Sequence, residues 1–195
     1  MLRQAESVLP TKWGLFQMIA YANSPESAKP HIAMVSENTD LTKPVVVRIH
    51  SECMTGDIFG SLRCDCGEQL ERALEVTAEK GGVVLYLRQE GRGIGIINKM
   101  KAYNLQDKGI NTVDANIHLG FEPDERTYGV AIEMLTDLGV KEIHLMTNNP
   151  QKVEAFDNSF INVVSRLPLE MPPKKENLAY LRTKKSLMGH ILDLK

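Results

Sequence analysis

The first third of the chain is dominated by apolar runs that are typical of β-strands. Residues 13–20, WGLFQMIA, are apolar and partly alternating, and residues 31–36 and 45–50 form two further apolar runs. The run VVVRI is β-branched and follows Pro44, which favours a strand. Residues 24–30 carry Ser and Pro and predict a loop. We therefore expect three strands before residue 51.

The apolar period becomes helical after the last cysteine. Leu70, Leu74 and Thr77 fall on one face of a helix that Gly81 and Gly82 end. Two further helices are predicted from apolar stripes at the same spacing, Ile96, Met100 and Tyr103 in one and Val130, Met134 and Leu138 in the other. Residues 110–127 are mixed and polar, and no element is predicted there.

Strands and helices alternate through the rest of the chain. Three short apolar runs predict strands: 83–87, 142–147 and 161–165. Asn149 and Pro150 form a helix start with an N-cap and a first-turn proline, residues 168–173 predict a loop, and residues 176–192 predict an amphipathic helix with a basic face. The pattern predicts an α+β or α/β fold, as a single domain over residues 1–195 with a mixed sheet flanked by helices. It leaves the strand order open.

Composition narrows the classes of function. The chain has 195 residues, of which 43% are hydrophobic and 25% charged, with a net charge of −2. This charge gives no general attraction to nucleic acid or to an anionic membrane. No apolar run approaches the roughly 20 residues that span a bilayer, and the N-terminus lacks the apolar core of a signal peptide. We expect a cytoplasmic protein with reduced thiols, without a membrane or nucleic-acid partner.

All three cysteines of the chain lie between residues 53 and 66. Cys53, Cys64 and Cys66 have the spacing C-x10-C-x-C. A structural zinc site usually has four protein ligands, whereas a catalytic zinc keeps three and leaves one position open. Inert burial is the alternative, but the neighbouring residues are mostly charged. The cysteines therefore predict an open, catalytic metal site.

Two strand-to-helix junctions are candidate phosphate sites. Glu90-Gly91-Arg92-Gly93 lets the backbone approach an anion near a helix start. It matches neither a P-loop nor a dinucleotide fingerprint, and a tight turn is an equal interpretation. At the second junction, Lys152 lies in a first helical turn, where the helix dipole disfavours a cation unless an anion binds. By itself, a solvated surface lysine is the simpler interpretation.

Three other residue types could contribute chemistry. Asp124 and Arg126 lie two apart in a polar loop, where they form either an ion pair or a base and a phosphate-binding group. Tyr103 lies on an apolar stripe, so core packing is its default role. His50 lies three residues before Cys53, on the opposite face of a strand, which argues against a shared metal site.

Four ordered motifs together resemble GTP cyclohydrolase II, the enzyme that opens riboflavin biosynthesis. They are RIHSECMTGDIFGSLRCDCGEQL, LRQEGRGIGIINKMKAYNLQDKG, DANIHLGFEPDER and LMTNNPQKV. The resemblance is strong from about residue 48 to residue 164. It implies that GTP loses formate from its imidazole ring and releases pyrophosphate, to leave a diaminopyrimidinone ribosylamine 5′-phosphate.

The resemblance also implies roles for individual residues. Cys53, Cys64 and Cys66 would hold one zinc ion, which activates a water molecule for attack on the purine C8. Asp124 would accept a proton, Arg126 would act at the α-phosphate and Tyr103 would serve the ring-opening hydrolysis. The residues implied to contact the nucleotide are Arg48, Ile49, His50, Ser51, Glu52, Gln69, Glu90, Gly91, Arg92, Thr112, Thr147 and Lys152.

Further expectations follow from the same resemblance. Mg²⁺ would accompany the triphosphate, and the protein would be a homodimer. A fused dihydroxybutanone phosphate synthase domain is not expected upstream, so the chain should be monofunctional. Some relatives stop at the formamidopyrimidine nucleotide and replace the site tyrosine, which is retained here as Tyr103. That reaction and a non-catalytic, zinc-stabilised nucleotide-binding module are the alternatives. Whether Asp124 or Glu52 is the general base stays open.

Overall fold

The computed structural model describes residues 1–194 as strands, helices and their connections. The strands are β1 (Leu2–Thr11), β2 (Gly14–Ala22), β3 (His31–Ser36), β4 (Val45–Ser51), β5 (Val83–Leu87), β6 (Glu142–Met146) and β7 (Asn162–Leu167). The helices are α1 (Met54–Asp57), α2 (Cys66–Lys80), α3 (Gly95–Gln106), α4 (Thr112–His118), α5 (Gly129–Asp137), α6 (Pro150–Glu154) and α7 (Leu178–Leu187). A short 3₁₀ helix, η1 (Glu90–Gly93), precedes α3.

Seven strands form one mixed sheet in the order β1-β2-β3-β5-β4-β6-β7. The pairs β1–β2, β2–β3 and β3–β5 are antiparallel, whereas β4–β6 and β6–β7 are parallel. This confirms the predicted class, a mixed α/β fold that is rich in strands at its N-terminus. The predicted strands correspond to β2 to β7, with boundaries that differ by a few residues.

The described residues group into two compact units. The first unit comprises 1–50, 70–88 and 128–169, and the second comprises 51–69, 89–127 and, of the described residues, 170–194. The first unit contains the sheet and its hydrophobic core, in which strand residues such as Val47 and Leu85 pack with Met134 and Leu135 of α5. These four side chains are fully buried. The second unit contains α1, η1, α3, α4 and α7.

The prediction of which face of α3 is buried is wrong. We expected Ile96, Met100 and Tyr103 to face the core, but the buried residues of this helix are Lys99 and Ala102, and Met100 is 38% exposed. The physical reason is an ion pair that brings Lys99 inside, described below. Helix α4 was not predicted at all, and α7 is shorter than the predicted helix over 176–192.

The N-cap prediction for α6 is confirmed. The Asn149 side chain accepts a hydrogen bond from the Gln151 N–H at 3.0 Å, and Pro150 occupies the first helical position. Asn111 caps α4 in the same way, by accepting from Val113 N–H and Asp114 N–H. Among residues 1–194, no helix is both long and apolar enough to cross a membrane.

Candidate metal and nucleotide site

The three cysteine sulfurs meet in the second unit. Cys53 is the N-cap residue of α1, Cys66 is the first residue of α2, and Cys64 lies two residues before it. The three Sγ atoms lie within 4.8 Å of one another, and the Cys53 and Cys64 sulfurs are 3.6 Å apart. Cys53 lies two residues after the end of β4.

Two glycines allow the cysteine segments to pack this closely. A Cβ atom at Gly56 would lie 2.9 Å from the Cys64 sulfur. A Cβ atom at Gly67 would lie 2.4 Å from the Gly56 carbonyl oxygen. Both distances are shorter than van der Waals contact, so any larger side chain would push α1 away from the start of α2.

The donor set fits a zinc ion. Zinc–sulfur bonds of about 2.3 Å place two sulfurs of a tetrahedral centre about 3.8 Å apart, close to the observed 3.6 Å between Cys53 and Cys64. Hydrogen bonds from the other two thiols, aided by the Lys99 ammonium, hold the pKa of Cys53 far below its usual range. The same sharing raises the pKa of Cys64 to about 11 and raises that of Cys66. Three sulfurs that compete for protons in this way form a suitable set of ligands for one metal ion.

Lys99 and Glu90 form a buried ion pair beside the sulfurs. The Lys99 ammonium donates to the Cys53 sulfur at 3.1 Å and to Glu90 Oε1 at 2.8 Å. The Glu90 carboxylate also accepts from the Met54 N–H at 2.6 Å and from the Gly91 N–H at 2.7 Å. Glu90 therefore links the glycine-rich turn to the first residue of α1.

The glycine-rich turn has an unusual backbone. Gly91 and Arg92 both have φ near +64°, in the left-handed region, and Arg92 is the only described residue other than glycine with a positive φ. A Cβ atom at Gly93 would lie 2.8 Å from Glu125 Cβ. The Arg92 carbonyl accepts from the Glu125 N–H at 3.0 Å. The glycines are thus required by the turn itself, and the phosphate-binding interpretation stays a prediction.

Tyr103 lies close to the three cysteines. Its hydroxyl lies 3.4 Å from Thr55 Oγ1, which lies 3.6 Å from the Cys53 sulfur. Burial raises the pKa of Tyr103 to about 12, against opposing effects from the Thr55 hydrogen bond and the Lys99 charge. The hydroxyl therefore stays protonated at neutral pH and can act as a proton donor.

Asp124 and Arg126 form a two-point ion pair. The Arg126 Nε and Nη2 atoms donate to the two Asp124 carboxylate oxygens at 2.8 and 2.5 Å. Burial alone would raise the pKa of Asp124, but the hydrogen bonds and charge of Arg126 hold it below its ordinary value. The carboxylate therefore stays ionised and fixes the orientation of the guanidinium, in the planar geometry that arginine and carboxylate groups favour.

One cleft of the second unit collects most of these groups, and we call it the cysteine cleft. The residues from the predicted site that line it are Ser51, Glu52, Cys53, Cys64, Cys66, Glu90, Gly91, Arg92, Tyr103, Thr112 and Arg126. Four cations contribute to its wall: Arg63, Arg92, Lys99 and Arg126. Within residues 1–194, Ser51 Oγ, Gln89 Oε1 and Arg92 Nη2 are buried without a hydrogen-bond partner. The cleft therefore suits a polar, anionic ligand.

Two predicted site residues of the second unit do not line the cleft. Asp124 acts on it through Arg126, as described above. Gln69 donates from Nε2 to Asp65 Oδ2 at 2.5 Å. Asp65 in turn accepts from Lys184 of α7 at 3.0 Å. Gln69 thus belongs to a buried polar cluster that fastens the first turn of α2.

Five predicted site residues belong to the first unit. Arg48 donates to the Met146 carbonyl at 3.1 Å, and Lys152 donates to the Ile49 carbonyl at 2.8 Å. His50 stacks on Tyr86 with ring centroids 5.5 Å apart. The Thr147 hydroxyl accepts from the Asn149 N–H at 3.0 Å. Lys152 is 5% exposed, so its interpretation as a solvated surface lysine is wrong.

Several cleft residues were missed in the sequence: Arg63, Gln89, Lys99, Asn116 and Tyr180. Lys99 and Tyr180 lie on helices, where the sequence alone would place a charged or aromatic residue on the protein surface. Gln89 directly precedes Glu90, so the glycine-rich motif could have been extended by one residue. Only the structure brings Tyr180 of α7 into the same cleft as the cysteines.

The fold and the site define a mixed α/β protein with a three-cysteine centre at a cation-lined cleft. The chain belongs to the GTP cyclohydrolase II family, whose sequence profile matches residues 2–168. The resemblance seen in the four motifs is therefore confirmed.

The comparisons also identify similar proteins. Riboflavin biosynthesis protein RibBA of Bacillus cereus is 51% identical over 193 residues, which are 98% of this chain and 48% of that protein. The proteins of the same name from Bacillus mycoides and Bacillus cytotoxicus are 51% and 49% identical over the same shares. The chain thus spans about half the length of these curated relatives. A crystal structure of RibBX, a two-domain 3,4-dihydroxy-2-butanone 4-phosphate synthase from A. baumannii, matches with a TM-score of 0.49 and 18% identity, over 87% of this chain and 40% of that chain.

Proposed function

We propose that this chain is a zinc-dependent hydrolase that opens the imidazole ring of GTP and releases formate and pyrophosphate. The product would be 2,5-diamino-6-(5-phosphoribosylamino)pyrimidin-4(3H)-one, in the first step of riboflavin biosynthesis. The observation that carries the proposal is that the three thiols, Tyr103 and Arg126 line one cleft. Membership of the GTP cyclohydrolase II family supports it, and so do the printed names of the relatives.

The cleft chemistry suits a nucleoside triphosphate. The guanidinium groups of Arg63, Arg92 and Arg126 offer planar, two-point contacts for phosphate oxygens. Mg²⁺ would bind the remaining triphosphate oxygens and water. The buried Ser51 hydroxyl and the Gln89 carbonyl oxygen provide further polar positions for the nucleoside. We infer that Glu52, Gly91 and Thr112 complete this wall.

Ring opening would be assisted by Tyr103. A zinc ion bound by the three thiolates would supply the Lewis acidity that activates water for attack on C8 of the purine. The Tyr103 hydroxyl, with a pKa raised to about 12, would donate its proton toward the ring nitrogen that leaves C8. Its path to the cysteines through Thr55 supports this placement.

Arg126 would act on the phosphate part of the substrate. Asp124 fixes its guanidinium by two hydrogen bonds, so the positive charge is oriented before substrate arrives. We infer that Arg126 stabilises charge at the α-phosphate while pyrophosphate leaves. This role involves no covalent attack by Arg126, because a guanidinium has no lone pair to offer at neutral pH. Asp124 and Glu52 are both candidates for the proton acceptor.

Arg48, Ile49, His50, Thr147 and Lys152 would also contact the nucleotide. The protein would also be a homodimer, which light scattering after size-exclusion chromatography would test. Edge strand β1 leaves Leu2 and Val8 each 66% exposed, an apolar surface that a second copy would cover.

The proposal is tested by assaying formate and pyrophosphate together after the zinc-replete protein is incubated with GTP and Mg²⁺. Equal amounts of both products would support the full reaction. Pyrophosphate without formate would mean either that the reaction stops at the formamidopyrimidine nucleotide or that the ring is never opened, and identification of the nucleotide product would separate the two. If neither product formed while GTP still bound, the chain would be a nucleotide-binding module instead.

A further inference from the structure

Lys99 is the most deeply placed cation of the cysteine cleft. Its side chain is 10% exposed, and its partner Glu90 is 8% exposed. The ammonium lies between two negative groups, 3.1 Å from the Cys53 sulfur and 2.8 Å from Glu90 Oε1. It also lies 5.7 Å from the centre of the Tyr103 ring.

The surrounding residues are arranged to hold Lys99 in this position. Glu90 is fixed by two backbone donors, the Met54 N–H and the Gly91 N–H. A Cβ atom at Gly91 would lie 3.1 Å from Lys99 Cβ, so glycine leaves the room that the lysine stem occupies. Burying a lysine costs free energy unless it is paired and hydrogen-bonded. Glu90 offsets part of this cost, and the Cys53 sulfur is the second group that the ammonium contacts.

We propose that Lys99 is a positioning residue for the metal centre, which acts through Cys53 by offsetting the charge of the bound thiolates. The proposal rests on the zinc centre of the proposed function. One zinc ion and three thiolates carry a net charge of −1, which the ammonium at the Cys53 sulfur offsets. Glu90 holds the ammonium in place and does not bind the metal itself. Glu90 would thus have two roles: it positions the Lys99 ammonium, and it lines the proposed nucleotide site.

A purely structural ion pair is the competing explanation, and a double variant separates the two. Lys99→Met alone leaves Glu90 buried without its cation, which destabilises the fold for reasons unrelated to the metal. Lys99→Met combined with Glu90→Gln removes both charges and leaves no unpaired ion. Lys99→Arg keeps the charge in a different shape. Lys101→Met, on the exposed side of the same helix, is the matched control.

The experiment measures the metal directly. Each variant is stripped and reloaded with zinc, and the affinity is determined by competition with a chromophoric chelator. The same proteins are loaded with Co²⁺, and the sulfur-to-cobalt charge-transfer absorption is recorded. We expect zinc affinity to fall about 10- to 100-fold in Lys99→Met and in the double variant, the range seen when partners of metal ligands are removed. The absorption band should shift in both, and Lys99→Arg should recover part of the affinity.

The outcomes separate this proposal from the proposed function. If the wild-type protein bound no metal, the zinc centre itself would be wrong. If the wild-type protein bound zinc and the double variant matched its affinity and its cobalt spectrum, Lys99 would be a structural residue and the proposal would be overturned. Unchanged affinity in Lys101→Met is expected, and a loss there would attribute the effect to α3 as a whole.

Discussion

Cys64 illustrates how little redundancy the three-cysteine cluster has. Its sulfur is buried 3.6 Å from that of Cys53, and the structure offers only one cluster of three metal-ligating side chains within residues 1–194. We predict that Cys64→Ser removes most of the bound zinc and reduces formate release to background, because two remaining thiolates hold zinc poorly. Metal content and formate release measured on the same sample test this. Full activity in the variant would disprove the metal assignment.

Substitution of Tyr103 tests the chemical step separately from GTP binding. Its hydroxyl lies at the cysteine side of the cleft, 3.4 Å from Thr55 Oγ1, whereas its ring packs under Arg63 at 4.9 Å. Tyr103→Phe keeps the ring and removes the proton donor. We predict that kcat for formate release falls by about 100-fold or more, while the affinity for GTP changes little. The two are measured by single-turnover kinetics and by equilibrium binding. An equal loss of both would assign Tyr103 to substrate binding.

At the residue scale, side-chain type decides what the sequence reveals. The clustering of the cysteines could be predicted, because closely spaced cysteines among charged residues have few roles other than as ligands. Lys99 could not, because a lysine on a helix is nearly always exposed. Its burial depends on contacts with Glu90, 9 residues earlier, and with Cys53, 46 residues earlier, which the local pattern does not contain. Asp124 and Arg126 were identified as a pair, but only the structure shows which carboxylate oxygen meets which nitrogen.

At the scale of elements, the period of apolar residues explains which strands and helices could be predicted and which could not. Strands β3, β4 and β5 have inward-facing β-branched or apolar runs and could be placed within one residue. Strand β1 is exposed along almost its whole length, so it has no alternation to detect. Helix α4 is amphipathic over only 7 residues, although the Asn111 N-cap signals its start. The strand order depends on long-range pairing that local pattern does not contain.

One ion pair fastens β1 to the rest of the first unit. Asp137 accepts from Arg3 at 2.8 Å and from the Tyr21 hydroxyl at 2.7 Å. Burial opposes ionisation of Asp137, but these two hydrogen bonds outweigh it and lower its pKa below the ordinary 3.8. A carboxyl whose pKa is lowered by folding stabilises the protein above its unfolded pKa, and this stability is lost as the pH falls through the folded pKa.

We therefore predict that Asp137→Asn lowers the free energy of unfolding by about 1 kcal/mol at pH 7, a modest value because Asp137 and Arg3 are both more than one-third exposed. The difference from wild type should be fully present above the unfolded pKa of about 3.8 and should be lost as the pH falls through the lower pKa of the folded state. Urea unfolding at several pH values measures it. Glu6→Gln, which removes the other carboxylate that pairs with Arg3, is the control. A difference that is constant with pH would show that the packing of the side chain, and not its charge, matters.

Helix α7 contributes an aromatic wall to the cysteine cleft from outside the matched region of the family. Tyr180 lines the cleft, and Lys184 holds the helix to Asp65 at 3.0 Å. We predict that Tyr180→Leu raises the KM for GTP about tenfold with a smaller change in kcat, because an aromatic ring that stacks on a base is typically worth about 1–3 kcal/mol. Steady-state kinetics test this. Arg182→Ala, exposed on the same helix, should leave KM unchanged.

At the scale of the whole molecule, the site and the core are built from different residues. The second unit gathers segments 51–69, 89–127 and, of the described residues, 170–194, and the cysteine cleft draws side chains from all three. The largest hydrophobic cluster belongs instead to the sheet of the first unit and includes none of the cysteines. A metal that links residues 53 to 66 therefore closes only a short loop and adds nothing to that cluster.

This separation predicts what metal removal does. A strong chelator should abolish GTP hydrolysis, while the far-UV circular dichroism and a cooperative thermal transition persist, with a midpoint lowered by less than about 10 °C, because closing a loop of this length is worth about 3 kcal/mol. Added zinc should restore activity to the same sample. The opposite result, loss of secondary structure on chelation, would mean that the metal drives folding, as in zinc-stabilised binding modules. In that case the cysteine centre would be structural, and the assignment of its chemistry to GTP would fail.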